Sequence, residues 1–111
     1  MSTNAITLNG ELVNIDGNAN RLALLLHGPK HVCVIAGMNK VVADVESGIK
    51  RVHTVAALNA ARLHTNTPCE LTGVCANCHA EGCMCCQEVI TRHSRHEGRI
   101  HVILVGEDLG Y

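Results

Sequence analysis

Six of the seven cysteines fall within one stretch, TPCELTGVCANCHAEGCMCCQEV, as Cys69, Cys75, Cys78, Cys83, Cys85 and Cys86. Thiols crowded in this way serve disulfides, a metal ion or an iron–sulfur cluster. Cys75 and Cys78 form a CxxC pair, a spacing that lets two sulfurs face one ion from a tight turn. Cys69 precedes the pair by six residues, and Cys85 follows Cys78 by seven. Four thiolates from one loop suit tetrahedral zinc or an iron–sulfur cluster, which makes Cys69, Cys75, Cys78 and Cys85 the candidate metal ligands. Cys83 and Cys86 are spare or alternative ligands, and His64 and His79 are near enough in sequence to replace one thiolate. Gly73 and Gly82 permit the sharp turns that wrapping an ion demands. The stretch has few large apolar residues, so a bound group is expected to order it. Zinc sites often use two CxxC knuckles and only one is present, while thiolates also suit iron–sulfur clusters, so both cofactors stay open. A redox dithiol is disfavoured, because this CxxC does not open a helix after a strand.

Disulfides fit the rest of the chain poorly. The opening MSTNAITLNG has neither the charged nor the apolar region of a signal peptide. The longest apolar runs, LALLL and HVILV, are too short to cross a bilayer. A cytoplasmic location is therefore expected, where structural disulfides are rare, and an odd count of seven cysteines cannot pair completely. The formal net charge of -1 and a single aromatic residue argue against nucleic-acid binding, which calls for a basic surface or stacking rings. The core must be built from Val, Leu, Ile and Ala.

The elements that must position the thiols are legible as follows. NAITL and ELVNI flank Asn9-Gly10, the signature of a hairpin with a type I′ turn. NANRLALLLH reads as a short helix capped by Asp16 or Asn18, with Leu22, Leu25 and Leu26 on its apolar face and Gly28-Pro29 at its end. HVCVIAG is a continuous β-branched run, expected as a buried parallel strand with Cys33 as a small core residue. From about Val41 to Leu63 the apolar spacing of Val42, Val45, Ile49, Val52 and Ala56 predicts a long helix. After the Cys-rich loop at 66–87, QEVITRH is a strand or a helical turn, and RIHVILVGE a second buried strand. The expected class is α/β: a β-hairpin plus a parallel or mixed sheet flanked by helices, in one domain spanning 1–111.

Two other places carry chemistry. Asn14, Asp16, Asn18, Asn20 and Arg21 surround a strand-to-helix turn whose free amides, beside Arg21, can hold a phosphate or carboxylate; the competing reading is a plain capped turn. Asn39 and Lys40 follow a strand end, where open α/β sheets bind ligands, and Lys40 can meet a small anionic substrate; the competing reading makes Asn39 a helix cap and Lys40 solvated. Glu107 and Asp108 follow the last strand in the same way and are expected to be solvated. His93, His96 and His101 have no ligand spacing and are expected at the surface. There is no GxGxxG, GxSxG, HExxH or Walker loop, so no self-sufficient dinucleotide, hydrolase or kinase site is expected.

The segments NAITLNGELVNIDGNANRLA, GPKHVCVIAGMNKVVADVESGIKRV, AALNAARL, TPCELTGVCANC and HVILVGEDLGY together resemble the lactate-utilisation family, whose module is the LUD domain. The resemblance covers almost the whole chain and looks like the C-terminal half of that domain. It implies the α/β fold of sugar-phosphate isomerases and CoA-transferases. It also implies a role in oxidation of L-lactate to pyruvate alongside iron–sulfur partner proteins. The family's cysteine motif matches Cys69, Cys75, Cys78 and Cys85, leaving Cys83 and Cys86 as departures. A half-domain would expose apolar faces, so a homo-oligomer or a partner supplying the missing half is expected. Three functional readings follow: an accessory component of lactate oxidation, within an oxidoreductase system, whose Cys loop holds a metal or cluster; a non-enzymatic, zinc-stapled interaction module; and a binder of a small phosphorylated or CoA-type ligand.

Overall fold

The hairpin opens the molecule. In the computed structural model, which describes residues 1–111, β1 (Ala5–Thr7) and β2 (Leu12–Asp16) pair antiparallel, Ala5 opposite Val13 and Ile6 opposite Leu12. Their connection is not the expected two-residue turn. Gly10 has φ 84°, but Asn9 is not at positive φ. The Gly10 N–H donates to the Thr7 carbonyl (2.9 Å), and Thr7 N–H to the Glu11 carbonyl (2.9 Å), so the glycine supplies a left-handed bulge after a turn begun at Thr7. Thr7 Oγ1 donates to the Glu11 carboxylate at 2.9 Å, closing the longer loop from its side chains.

Helix α1 (Asn20–Leu26) follows, but neither Asp16 nor Asn18 caps it. Ala19 occupies the cap position at φ 61° without a side-chain hydrogen bond, because the Asp16 carboxylate turns to Arg21 Nε, 3.5 Å away, and Asn18 is exposed. Leu22 and Leu25 are buried as expected, while Leu26 is exposed. Strand β3 (Val32–Gly37) leads through a 3-10 turn, Met38–Lys40, to β4 (Val41–Val42). The helix predicted from Val41 therefore starts late. Val41 and Val42 pair in parallel with Ile6 and Thr7, and α2 (Val45–Thr54) begins only where Asp44 accepts a hydrogen bond from the Ser47 N–H at 2.8 Å. It also stops early. Thr54 Oγ1 donates back to the Lys50 carbonyl (2.8 Å), a bond that bends helices. A 3-10 turn (Ala56–Leu58) then separates α2 from α3 (Asn59–Leu63). Helix α4 (Pro68–Thr72), β5 (Gln87–Thr91) and β6 (Ile100–Val105) complete the chain.

The strands form a mixed sheet, β4-β1-β2-β5, and a two-stranded parallel sheet, β3-β6. The hairpin's two faces bury different partners. Ile6 and Leu12 pack with Leu25, Val32 and Val34, whereas Ile15 packs with Val52 and Ala56 of the α2 region. Gly48 lies where α2 crosses the hairpin; a Cβ there would come within 2.9 Å of Val13 Cγ2, so only glycine lets the helix sit this close.

The class is α/β, as expected, but β6 is not a buried strand and Cys33 is not a core residue. Along β3, Val32, Val34 and Ala36 point inward, so Cys33 and Ile35 point outward by the two-residue period of a strand, and no helix covers that face. Val102, Ile103 and Leu104 of β6 are between 39% and 48% exposed, which leaves both faces of this strand partly bare. On the other edge of β3 the Met1 carbonyl accepts from the Ile35 N–H, and the Met1 ammonium donates to the Cys33 carbonyl, each at 2.8 Å.

Candidate functional site

The Cys-rich segment is pinned to the domain at several points. Pro68 opens α4, where its missing N–H costs nothing. This places Cys69 in the first turn, its Sγ 3.1 Å from Thr67 Oγ1. Gly73, at φ 74°, ends the helix and turns the chain back. The Cys75 N–H then donates to the His53 carbonyl at 2.8 Å, tying the loop to the last turn of α2. At the far end the Cys86 N–H donates to the Asp16 carbonyl at 3.2 Å, tying it to the end of β2. Between these anchors Gly82 packs directly on the backbone of Thr65, leaving no room for a Cβ.

Within this frame the sulfurs converge. Donor atoms of His53, Cys75 and Cys85 all lie within 4.8 Å of one another. Two backbone amides point at sulfur: Asn77 N–H to Cys75 Sγ and Cys85 N–H to Cys83 Sγ, each at 3.4 Å. Such donors favour a thiolate, as amides around a bound ion do. Crowding acts the other way. Cys85 is exposed as a residue, but its sulfur faces its neighbours. Burial first, then the charges of Cys75 and Cys83, push its thiol up to about 12. For Cys83 the Cys85 N–H favours the thiolate, but burial and the neighbouring Cys78 and Cys86 outweigh it and raise the thiol above its ordinary value. Thiols held in this way are poor nucleophiles at neutral pH. A cation reverses that preference, because it stabilises the same crowded negative charge.

A cavity of about 350 Å³ joins the cluster to the β2–α1 turn. The four candidate ligands, Cys69, Cys75, Cys78 and Cys85, line it together with Cys83, and the facing wall carries Asp16, Asn18 and Arg21. Arg21 is heavily engaged: its guanidinium donates to Asn4 Oδ1 (2.8 Å), the Ile15 carbonyl (3.0 Å) and the Ser2 carbonyl (3.4 Å). A second cation, Arg62 of α3, also lines the cavity and reaches Asn59 Oδ1 at 3.1 Å.

Other candidates lie elsewhere. Asn14 is buried within β2, where its Oδ1 accepts from the Asn4 N–H (3.4 Å) and its Nδ2 has no partner. Asn20 is exposed at the start of α1. Asn39 is not a helix cap. It clasps the C-terminal segment, accepting from the Leu109 N–H (3.2 Å) and donating to the Gly110 carbonyl (2.8 Å). Lys40 is not solvated. It is buried, donates to Ser2 Oγ at 3.1 Å, and is held below its ordinary pKa by burial and then by Arg51 and Arg21. Glu107 and Asp108 are exposed, as are His93, His96 and His101. His64 caps α3 at φ 51° and faces Glu70 at 3.7 Å, while His79 is exposed. The histidine that does meet the thiols is His53, which sequence spacing missed because it lies on α2, 22 residues before Cys75. Arg62 and Asn59 of α3 were missed because nothing in their spacing shows that this helix lines the cavity.

The LUD-domain family model matches residues 1–105 of the 111-residue chain. The chain belongs to the LUD-domain family. Neither curated proteins nor solved structures give a match. Family membership makes this a lactate-utilisation-type domain. No helix in this LUD domain is long and apolar enough to cross a membrane. Its clustered thiols, with the His53–Cys75–Cys85 group among them, form a donor set compatible with a metal ion.

Proposed function

We propose that this LUD domain is an accessory component of L-lactate oxidation to pyruvate. In this reading Cys69, Cys75, Cys78 and Cys85 hold a metal ion or iron–sulfur cluster, and the adjoining cavity receives a small carboxylate. The observation that carries it is the shared cavity, in which thiols and the polar β2–α1 turn face the same space of about 350 Å³. That volume suits a small molecule. Arg62 and Asn18 orient the carboxylate, and Arg21, fastened by its own hydrogen bonds, keeps the turn in place and contributes its charge. Oxidation of lactate to pyruvate releases two protons and two electrons, so an electron acceptor is required; in this reading it is an iron–sulfur partner protein, and the location is the cytoplasm. The bound group would supply thiolate-ligated charge and order to the loop. Lys40, buried and engaged with Ser2, serves the domain interior.

A second reading also has an observation behind it. The partly bare β6 is a surface for protein association. A zinc-stapled interaction module, pairing through β6 with a second copy of the chain, fits that feature without any turnover. Anaerobic purification followed by absorbance, metal analysis and lactate titration separates the two. Bound zinc, or iron with sulfide and broad visible absorbance, together with saturable lactate binding lost in Arg62→Ala, supports the first reading. Stoichiometric zinc, a colourless solution and no lactate binding support the second. Free thiols with neither metal would reject both.

A further inference from the structure

We infer that His53 is a direct metal ligand, completing a site with Cys75, Cys85 and Cys69 in which one imidazole and three thiolates surround a single zinc ion. The inference rests on the reading that the Cys-rich segment holds metal, and it narrows that reading by putting His53 in the place given there to Cys78 and by choosing zinc. The geometry starts with the donor atoms of His53, Cys75 and Cys85, which lie mutually within 4.8 Å. A tetrahedral zinc site, with bonds of about 2.3 Å to sulfur and about 2.0–2.1 Å to nitrogen, needs donors roughly 3.5–3.8 Å apart. For these three donors the gap to be closed is on the order of 1 Å.

The position of His53 is itself well supported. Val52 beside it is buried against Ile15 and Ala56, and Gly48 seats the same helix against Val13. The His53 carbonyl accepts the Cys75 N–H at 2.8 Å, so the imidazole and the Cys75 thiol issue from two backbones already tied together. Asn77 N–H on Cys75 Sγ adds the amide support that ligating sulfurs commonly receive. Cys69, held from Thr67 at 3.1 Å and lining the same cavity, is the third thiol. Cys78 and Cys86 both crowd Cys83, Cys86 Sγ donating to its carbonyl at 3.2 Å, and neither belongs to the group formed by His53, Cys75 and Cys85. A mixed nitrogen and sulfur set suits zinc, whereas a cubane cluster takes four thiolates.

X-ray absorption at the zinc edge of the full chain, loaded with zinc alone, tests this directly. One nitrogen shell at about 2.0 Å and three sulfurs at about 2.3 Å are expected. His53→Ala should lose the imidazole signature, and its zinc affinity should fall by more than the roughly 10–100-fold that follows loss of an outer-shell partner. His53→Cys should recover tight binding with an all-sulfur shell, which shows that the helix position, and not general folding, is responsible. Cys33→Ser, at an exposed position on β3 outside the cavity, should leave the shell unchanged. An all-sulfur shell in the unmodified protein, or a shell that Cys78→Ser alters and His53→Ala does not, would overturn the assignment of His53 while leaving metal binding intact. Absence of stoichiometric zinc binding would overturn both.

Discussion

Replacing Gly82 with alanine should uncouple the metal site from the fold. A Cβ at Gly82 would penetrate the carbonyl of Thr65, which is backbone and cannot swing aside. Relief requires the 80–84 segment to retreat by on the order of 1 Å, since non-bonded carbon atoms rest about 3.5–4.0 Å from their neighbours. Cys83 and Cys85 follow directly in sequence and move with it. Metal–ligand distances tolerate only about 0.2 Å, so the displacement exceeds the tolerance about fivefold. Gly82→Ala is therefore expected to lower zinc affinity by about 10–100-fold, the range seen when ligands lose their positioning. The two buried clusters, around Leu25 and around Val52, do not include this segment. The metal-free variant should accordingly unfold at the same temperature as the metal-free parent. Competition titration with a chelator measures the first quantity and calorimetry the second. Unchanged affinity would refute the claim that backbone packing at Gly82 sets the sulfur positions. A matching fall in metal-free stability would show that the segment belongs to the core.

Three further outcomes follow from the same structure. Zinc affinity should rise with pH across the neutral range, because binding expels protons from thiols such as Cys85, raised to about 12; proton release measured in weakly buffered calorimetry checks it, and a pH-independent affinity contradicts it. Lys40 has a folded pKa below its ordinary 10.5, so between the two values the unfolded chain binds more protons and stability should climb with pH. Denaturant titrations across that alkaline window should show the climb in the parent and lose it in Lys40→Met. Ile103, 48% exposed on β6, should lie in the contact between two copies, so the parent should sediment as a dimer and Ile103→Asp as a folded monomer.

The hairpin, the short helix, the parallel strand at 32–37 and the clustered thiols were all readable from residue types, because each rests on local chemistry: Asn9-Gly10, the spacing of Leu22 and Leu25, a β-branched run and a CxxC. The late start of α2 was not readable. Val41 and Val42 satisfy a helical period, but pairing with Ile6 and Thr7, more than thirty residues earlier, claims them for the sheet. Cys33 looked internal because a run of apolar residues cannot reveal that one face of its strand has no cover.

The candidate site divides along the same line. The sequence by itself determined the family, the donor-rich segment and the polar turn at 16–21, since these depend on composition and order alone. Tertiary structure decided that the two face one cavity, that Lys40 and Asn39 are engaged in other contacts, and that His53 and Arg62 join the thiols. Those facts depend on how α2 crosses the hairpin and on where the chain beyond it carries α3. That crossing is set by Gly48 against Val13 and by Ile15 against Val52, contacts between residues too far apart in the chain for any spacing rule to register.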